Sequence, residues 1–458
     1  MDVAILSRLQ FAFTIGFHYL FPPLSIGLGV ILVIMEGMYL RTKNPLYEQM
    51  TKFWVKVFAL IFGVGVATGI VMEFQFGTNW AVYSRYVGDV FGSALAAEGI
   101  FAFFLESGFL ALLVFGWDKV KPRTHFIATC LVAFGAHFSA IWIVIANSWQ
   151  QTPAGFHIVT REGITRAEVT DFAAVLFNPS TFERLSHTIL GAWIAAAFLV
   201  ISVAAFYMLK KKHIEFARTT MKIGIVFAIT STLLQLLTGH ASAQQVAFTQ
   251  PAKLAAFEGH YNTSPTGLFI MGWVDDENQT AHGIKIPGML SWLVYMDASK
   301  PVTGLNEFKK EDRPPVQLVF QSFHLMVGIG MALILISGFA FALWKMGKLE
   351  NNKPFLWLLV FSVALPEMAN QLGWMSAEVG RQPWIVYGLL RTTDAISKSV
   401  SANEIIFSLI LFGLIYALLL ALFIFLLDRK IKAGPEHAEE IESEYDRQSV
   451  IFEDKKNI

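Results

Sequence analysis

Residues 93–117 read SALAAEGIFAFFLESGFLALLVFGW. The run is longer than the ~20 apolar residues that a helix needs to cross the hydrocarbon core of a bilayer. Its only ionisable side chains are Glu98 and Glu106. Ionisable residues inside a membrane span are rare, costly and usually functional. The stretch therefore predicts a transmembrane helix that carries a functional pair of carboxyl groups.

The composition of the whole chain agrees with this stretch. Of its 458 residues, 55% are hydrophobic and 15% are charged, with a mean hydropathy of +0.52, whereas soluble domains carry roughly 25% charged residues. Long apolar runs predict an all-α polytopic membrane protein, because a transmembrane β-barrel would show short alternating segments. The formal net charge is +0, so charge gives no reason to expect a nucleic-acid partner.

Hydropathy predicts nine transmembrane helices. The first predicted span is too long for a straight crossing and contains Pro22-Pro23, so we expect a kinked helix there. No repeat of 20 to 50 residues is present. The predicted spans are residues 9–39, 53–76, 93–117, 125–148, 185–209, 219–238, 318–344, 355–375 and 404–427.

The basic residues of the short loops set the expected orientation. Positive charge collects on the cytoplasmic side of membrane proteins, and it follows spans one, three, five, seven and nine here. We therefore expect the N-terminus outside and the C-terminus in the cytoplasm. The residues concerned are Arg41, Lys43, Lys52, Lys119, Lys121, Arg123, Lys210, Lys211, Lys212, Arg218, Lys345, Lys348, Lys353, Arg429, Lys430 and Lys432.

Two predicted outer segments are long, at about 149–183 and 239–317. Loops of that length are usually functional or disordered, and the helical spacing of AQQVAFTQPAKLAAFEGHY favours order in the second. The predicted organisation is spans one to six in 1–238, an outer loop in 239–317, spans seven to nine in 318–427 and a polar cytoplasmic tail in 428–458, which includes EHAEEIESEYDRQ.

The cysteine content and the N-terminal sequence are also informative. Cys130 is the only cysteine, which excludes an intrachain disulfide, covalent c-type haem and an iron–sulfur cluster held by this chain alone. The N-terminal sequence MDVAILSRLQ lacks the basic start of a cleavable signal peptide, so we expect insertion to begin with the first span.

The depths of the two carboxyl groups favour proton transfer. Glu98 is predicted one to two turns from the outer end of span three, and Glu106 lies eight residues further along. On a straight α-helix this is about 12 Å deeper, with a rotation of about 80° beyond two full turns. Such a descending series suits proton conduction. The alternative is a pair of carboxyl groups that hydrogen-bond across the bundle for packing.

Several possible metal ligands are predicted at one depth near the outside. Imidazole and thioether groups suit haem iron, and a His–Met pair gives a low-spin haem suited to electron transfer, whereas a lone His or carboxylate leaves iron an open face. His137 is better interpreted as a packing or hydrogen-bonding residue. The candidate ligands are His18, His187, His324, Met326 and Glu378.

The individual residues alone are compatible with three classes of membrane protein. One is a multi-haem membrane protein, and another is a secondary transporter with Glu98 and Glu106 as ion sites. A transporter usually has inverted repeats and a midplane site, and neither is predicted here. The third is a b-haem anchor subunit for a soluble dehydrogenase, against which His18 and Glu378 argue because it needs no open iron face.

Longer stretches carry a family resemblance. From the N-terminus to span nine, the chain resembles subunit I of cytochrome bd, the bacterial quinol oxidase of the cell membrane. The resemblance implies that quinol is oxidised at the outer face and oxygen is reduced to water. The matching stretches are SRLQFAFTIGFHYLF, MEFQFGTNW, AAEGIFAFFLESGF, SAIWIVIANSW, LSHT, KLAAFE, FHLMVGIG and AEVGRQPW.

The resemblance also implies cofactors and site residues. It implies a low-spin haem b on His187 and Met326, and a high-spin haem b and a chlorin-type haem d on His18 and Glu378, with the assignment of these two ligands open. A haem b in place of haem d also stays open. Glu98 and Glu106, with Ser139 and Asn147, are implied to form the proton path. Lys253 and Glu258 are implied to take part in quinol oxidation. Arg8 and Arg381 are implied to lie near haem propionates, and Trp374 beside the haems.

Two departures from the family pattern matter. The quinol loop is short, which places the chain with the short-loop members. His324 stands where many members have an arginine, two residues before the ligand methionine. We predict Met326 as the ligand and His324 as a propionate or hydrogen-bond partner, with His324 as ligand the alternative. Lys253 and Glu258 are five residues apart, so on a helix they face different ways and a direct salt bridge is not expected.

The resemblance implies partners that the sequence itself does not show. A second large subunit, subunit II, is expected in the same complex, and a small single-span subunit stays open. Membrane quinol, oxygen and the lipid bilayer are the other expected partners. The sequence leaves open whether the quinol is ubiquinol or menaquinol, whether cyanide inhibits the enzyme, and how the complex oligomerises.

Overall fold

The computed structural model describes residues 2–436. Met1 and most of the predicted acidic tail, residues 437–458, lie outside the described residues. Within the described range, nine helical segments are long and apolar enough to cross a membrane, as predicted. They are Val3–Thr42, Pro45–Thr78, Gly88–Phe115, Pro122–Gln151, Thr181–Lys210, Ile214–Thr249, Lys310–Lys345, Lys353–Val379 and Ala402–Ala433.

The helices that build and connect these segments are numbered in chain order. They are α1 (Val3–His18), α2 (Pro22–Thr42), α3 (Pro45–Thr78), α4 (Ala81–Tyr86), α5 (Gly88–Ala97), α6 (Phe104–Phe115), α7 (Pro122–Gln151), α8 (Phe172–Leu176), α9 (Thr181–Lys210), α10 (Ile214–Thr249), α11 (Pro251–Phe257), α12 (Met289–Tyr295), α13 (Val316–Lys345), α14 (Lys353–Phe361), α15 (Ala364–Val379) and α16 (Ala402–Ala433).

Three two-stranded antiparallel hairpins complete the fold, and the sequence analysis did not predict them. The hairpins lie in the connections after spans four, six and eight. Successive connections are at opposite ends of the bundle, so all three hairpins are at the same end, called the hairpin end below. The strands are β1 (Phe156–Arg161), β2 (Ile164–Val169), β3 (Leu268–Asp275), β4 (Thr280–Ile286), β5 (Trp384–Val386) and β6 (Leu390–Arg391).

The predicted kink of the first span is a full break. Helix α1 ends at His18 and α2 begins with Pro22, which occupies the first helical position. Proline is tolerated there because the N–H that it lacks would have no partner within the helix. The break leaves His18 at the very end of α1, facing the bundle.

The third span is not a straight α-helix, so the predicted rotation between the two carboxyl groups is wrong. A π-helical segment, Glu98–Phe103, separates α5 from α6. A π turn takes more residues than an α turn, so Glu106 is rotated from Glu98 by less than the predicted angle. Such insertions are rare and frequent at functional sites, and no hydropathy pattern reveals them.

Helix α9 is the centre of the bundle. In the most apolar 18-residue stretch of α9, 78% is buried inside the protein, whereas the corresponding share for α16 is 11%. Small residues allow the close approach: a Cβ on Gly27 of α2 would lie 2.5 Å from the Ala192 carbonyl of α9. Small residues at helix interfaces are typical of membrane bundles. Helix α16 lies at the periphery, where its apolar surface is exposed.

The long segment between spans six and seven is largely ordered, as expected. Helix α10 continues to Thr249, so the boundary predicted at 238 falls inside it, and α11 follows directly. The β3–β4 hairpin and α12 then pack with α11 and the start of α13 around a separate apolar cluster that includes Phe257, Phe269 and Phe320.

Candidate functional site

The orientation of His18 is fixed by a threonine on α3. His18 Nδ1 lies 2.9 Å from Thr68 Oγ1, and the Thr68 hydroxyl is used as a donor to the Val64 carbonyl at 3.0 Å. With its one hydrogen directed to Val64, the Thr68 hydroxyl accepts from Nδ1–H, and we assign the His18 tautomer on this basis. This tautomer leaves the Nε2 lone pair of His18 available to a metal.

His187 on α9 is held in the same way from α10. Its Nδ1 lies 3.3 Å from Thr238 Oγ1, whose own hydroxyl donates to the Gln235 carbonyl at 3.3 Å. On the other side of the ring, the Gln235 amide lies 3.2 Å from Nε2, which accepts a hydrogen bond there. Nε2 is again the unprotonated nitrogen, and in this structure the Gln235 amide donates to its lone pair.

A glycine lies against each of three predicted ligands. Gly69 and Gly239 directly follow the two threonines, and a Cβ on either would lie 3.2 Å from Cε1 of His18 or His187. A Cβ on Gly373 of α15 would lie 2.8 Å from the sulfur of Met326 on α13. The sequence analysis missed these residues, although the Thr-Gly pairs at 68–69 and 238–239 were a readable signal.

Glu378, at the end of α15, is surrounded by donors. Asn147 Nδ2 and Gln151 Nε2 donate to its Oε1 at 3.1 and 3.2 Å, and Arg381 donates to Oε2. A carboxylate that ligates a metal is normally held by such outer partners. Asn147, predicted on the proton path, thus lies beside Glu378 and not beside Ser139.

Positive charge exceeds negative charge around Glu378. Arg184 of α9 donates to Asn147, and its buried Nε has no hydrogen-bond partner among the described residues. Arg381 and Lys253 are also buried, at 4% and 3% exposure. Uncompensated buried charge is unfavourable, so the cluster requires further anions. The sequence analysis missed Arg184, whose position one turn before His187 was the available signal.

Arg8 and Trp374 are the other two residues that were predicted near haem propionates or haems. Arg8 is exposed on α1, and among the described residues no ion pair or hydrogen bond to its side chain is present, so the structure does not bring it together with Arg381. Trp374 is partly buried on α15, directly after the glycine that contacts Met326.

Two of the predicted proton-path residues meet. Ser139 of α7 donates to Glu98 Oε1 at 2.7 Å. Glu106 is 6% exposed, and the backbone of α6 lies so close to α7 there that a Cβ on Gly135 would be 3.1 Å from the Glu106 nitrogen. Glu73 of α3 is near enough to Glu98 for their charges to interact, a neighbour that the sequence did not indicate.

His137 has the packing role that was predicted. Its Nδ1 lies 2.7 Å from the Ala133 carbonyl of its own helix, and Nε2 accepts from the Trp193 indole at 2.9 Å. Both ring nitrogens are therefore engaged within the bundle, so His137 is not placed to ligate a metal.

Lys253 and Glu258 are buried and face different partners, as their spacing predicted. Lys253 Nζ donates to Gln151 Oε1 at 2.5 Å, and burial lowers the Lys253 pKa well below its usual range. Glu258 is 2% exposed, and burial raises its pKa to about 8. Neither side chain is exposed to solvent, unlike most Lys and Glu side chains in loops.

His324 connects Glu258 to the β3–β4 hairpin. Its Nε2 lies 3.1 Å from the Phe269 carbonyl and 3.9 Å from Glu258 Oε2, and Nδ1 lies 2.9 Å from the Phe320 carbonyl. Both nitrogens thus face backbone oxygens. The predicted hydrogen-bonding role fits this geometry better than the ligand alternative.

Among the described residues, no three His, Cys, Asp or Glu side chains converge on one point. The predicted ligands instead stand singly on separate helices. Single axial ligands backed by glycine suit a flat macrocycle, and the excess cations suit its propionates. Nine spans in the part of the chain that the structure describes, together with these candidate ligands, are typical of one class, namely integral membrane proteins that hold haem groups inside a helical bundle.

The comparisons with known proteins narrow this class. The sequence model of the family described as "Cytochrome bd terminal oxidase subunit I" matches residues 6–435. The chain is 42% identical to "Cytochrome bd ubiquinol oxidase subunit 1" of Bacillus subtilis (strain 168), with 95% of each chain covered. It is 35% identical to "Cytochrome bd-II ubiquinol oxidase subunit 1" of Escherichia coli (strain K12), covering 95% of this chain and 97% of that one.

A solved structure agrees with the sequence comparisons. The structure described as "The structure of bd oxidase from Geobacillus thermodenitrificans" superposes with a TM-score of 0.87 at 29% identity, covering 95% of this chain and 99% of that one. The chain therefore belongs to the cytochrome bd terminal oxidase subunit I family. It is an oxidoreductase and a multi-pass protein of the bacterial cytoplasmic membrane.

Proposed function

We propose that this chain is the haem-carrying subunit of a terminal oxidase that oxidises membrane quinol and reduces oxygen to water. The observation that carries the proposal is a pair of histidines, each oriented by a threonine through Nδ1 and each with a glycine against Cε1 of its ring. When bound, the haems supply the electron transfer between quinol and oxygen.

The proposed haem ligands follow from this arrangement. His187 and Met326 would hold a low-spin haem b, because imidazole and thioether are the ligand pair of low-spin, electron-transferring haems. His18 and Glu378 would each hold one high-spin haem, a haem b and a haem d or a second haem b, which would supply the chemistry of oxygen reduction. Arg381 and Arg184 would pair with propionates, because guanidinium matches a carboxylate through two hydrogen bonds.

Quinol is proposed to bind at the hairpin end, near Lys253 and Glu258. A general base works best when its pKa lies near the working pH, and the Glu258 pKa of about 8 meets that condition. Glu258 accepts the proton that the quinol hydroxyl loses. Relatives carry names with both "ubiquinol" and "menaquinol", so assays with both quinols decide the substrate.

The proposed proton route starts in the cytoplasm, opposite the hairpin end. Oxygen takes up four electrons and four protons to give two waters, and two quinols release the same numbers. Glu106, then Glu98 with Ser139, lead protons from the cytoplasm to the haems, while quinol protons leave outside. The enzyme thereby separates charge across the membrane without pumping.

The chain is proposed to work with a second large subunit, subunit II, with a small single-span subunit as a possible third member. The apolar surface of α16 is exposed in the isolated chain, and the bilayer or subunit II covers it.

The test is the absorption spectrum of the purified complex, reduced by dithionite and then exposed to carbon monoxide, beside oxygen uptake with each quinol. A red chlorin band and b-type bands that respond to carbon monoxide are expected, together with quinol-dependent oxygen uptake. Only b-type bands with that response would indicate haem b in the third site. A folded complex without haem bands would refute the oxidase and return Glu98 and Glu106 to ion transport.

A further inference from the structure

Gln151, the last residue of α7, contacts two predicted site residues at once. Its side chain is buried, its Oε1 accepts from Lys253 Nζ at 2.5 Å, and its Nε2 donates to Glu378 Oε1 at 3.2 Å. A carboxylate only accepts hydrogen bonds. Glu378 therefore fixes the orientation of the carboxamide, with its NH₂ toward the Glu378 carboxylate and its oxygen toward the Lys253 amine.

The surroundings hold this arrangement in place. Gln250, which precedes α11, donates from Nε2 to the Gln151 backbone carbonyl at 2.6 Å. The stem of Lys253 packs on the end of α15, where a Cβ on Gly380 would lie 3.0 Å from Lys253 Cγ. Helix α11 is thus fastened to the ends of α7 and α15, and Lys253 points inward, toward Glu378.

We propose that Gln151 is a positioning residue that couples Lys253 of α11, near which quinol is proposed to bind, to the proposed haem-ligand carboxylate of Glu378. It holds the Lys253 amine and orients Glu378 through one carboxamide, so a change at either end is felt at the other. The proposal rests on the function proposed above. Losing an outer partner of a metal ligand typically costs 10- to 100-fold in metal affinity or activity, and buried dipoles between opposite charges act strongly at low dielectric.

The alternative is that Gln151 only fills space between three helices. A Gln151→Met substitution keeps the volume and removes both hydrogen bonds, and Lys253→Met removes the amine alone. Gln245→Leu is the matched control, since the Gln245 carboxamide bonds only to Thr249 of its own helix, at 2.9 Å. The readouts are the carbon monoxide difference spectrum of the reduced complex, the haem content, and KM for quinol.

The decisive measurement is a double-mutant cycle. We expect Lys253→Met to shift the high-spin haem bands of the carbon monoxide spectrum when Gln151 is present, and not in the Gln151→Met background. Gln151→Met alone should shift those bands and raise KM for quinol about tenfold, as expected for a charged hydrogen bond of roughly 1.5 kcal/mol. Gln245→Leu should change neither. A shift that is equal in both backgrounds, or absent from both, overturns the coupling.

Gln151→Glu answers the question if the methionine variant does not assemble. A carboxylate keeps an acceptor for Lys253 but repels Glu378, so the high-spin bands should move and, because the two ends are coupled, KM for quinol should change with them. Movement of only one of the two, or of neither, refutes the coupling. A complex that shows the Gln151-dependent spectral shift but oxidises no quinol would support the bridge and refute the quinol function.

Discussion

Removing the Thr238 hydroxyl should change the low-spin haem that we propose at His187 and leave the other proposed haems unchanged. Thr238→Val keeps the shape of the side chain and removes the acceptor for His187 Nδ1–H, 3.3 Å away. The imidazole then loses the partner that increases its basicity as a ligand. A less basic axial imidazole stabilises the oxidised iron less, so the midpoint potential should rise.

The magnitude follows from the hydrogen bond. A neutral bond of this kind contributes about 0.5–1.5 kcal/mol, and 3.3 Å is long, so about 0.5 kcal/mol of difference between the two oxidation states is reasonable. A tenfold change in equilibrium, about 1.4 kcal/mol, corresponds to about 59 mV for one electron. We therefore expect a rise of about 20 mV, measured by a spectroelectrochemical titration of the complex.

The matched control is built into the chain. Thr68 performs the same role for His18, so Thr68→Val should alter the carbon monoxide spectrum of a high-spin haem and leave the low-spin potential unchanged. Thr238→Ser keeps the hydroxyl and should behave as the parent. If both valine variants moved the same haem, or if serine moved the low-spin potential as much as valine, the tautomer argument would be wrong.

Four further outcomes are expected. Glu106→Gln should slow oxygen reduction with haem content intact, and unchanged turnover would mean that protons take another route. Because the basic form of Glu258 accepts the quinol proton and its pKa is about 8, quinol oxidation should rise with pH through that value, and Glu258→Gln should flatten the profile as well as lower the rate. Met326→Leu should abolish the normal low-spin spectrum, and its retention would move the ligand to His324. Gly373→Ala should shift the same spectrum, since the new Cβ would lie 2.8 Å from the methionine sulfur, and an unshifted spectrum would show that the sulfur can move aside without cost.

Side-chain environments account for most of what the sequence analysis missed. Lys253 and Glu258 lie in a segment whose composition gives no sign of burial, and only the packing of α11 beneath the hairpin end encloses them. Arg184 reads as an ordinary basic residue at the start of a helix. Its importance comes from the neighbours that other helices bring to it, which no local pattern encodes.

The sequence by itself predicted the nine spans, a kink near Pro22 and the candidate ligands. Bilayer insertion is a local requirement: each span must be apolar over its own length, and each ionisable residue inside a span stands out against that background. The π segment at Glu98 and the three hairpins are local features that hydropathy does not reveal. Tertiary structure alone decided the Thr-Gly supports of the histidines and the bridge through Gln151. These supports depend on contacts between residues as many as 227 positions apart, and such contacts leave no periodic trace in the sequence.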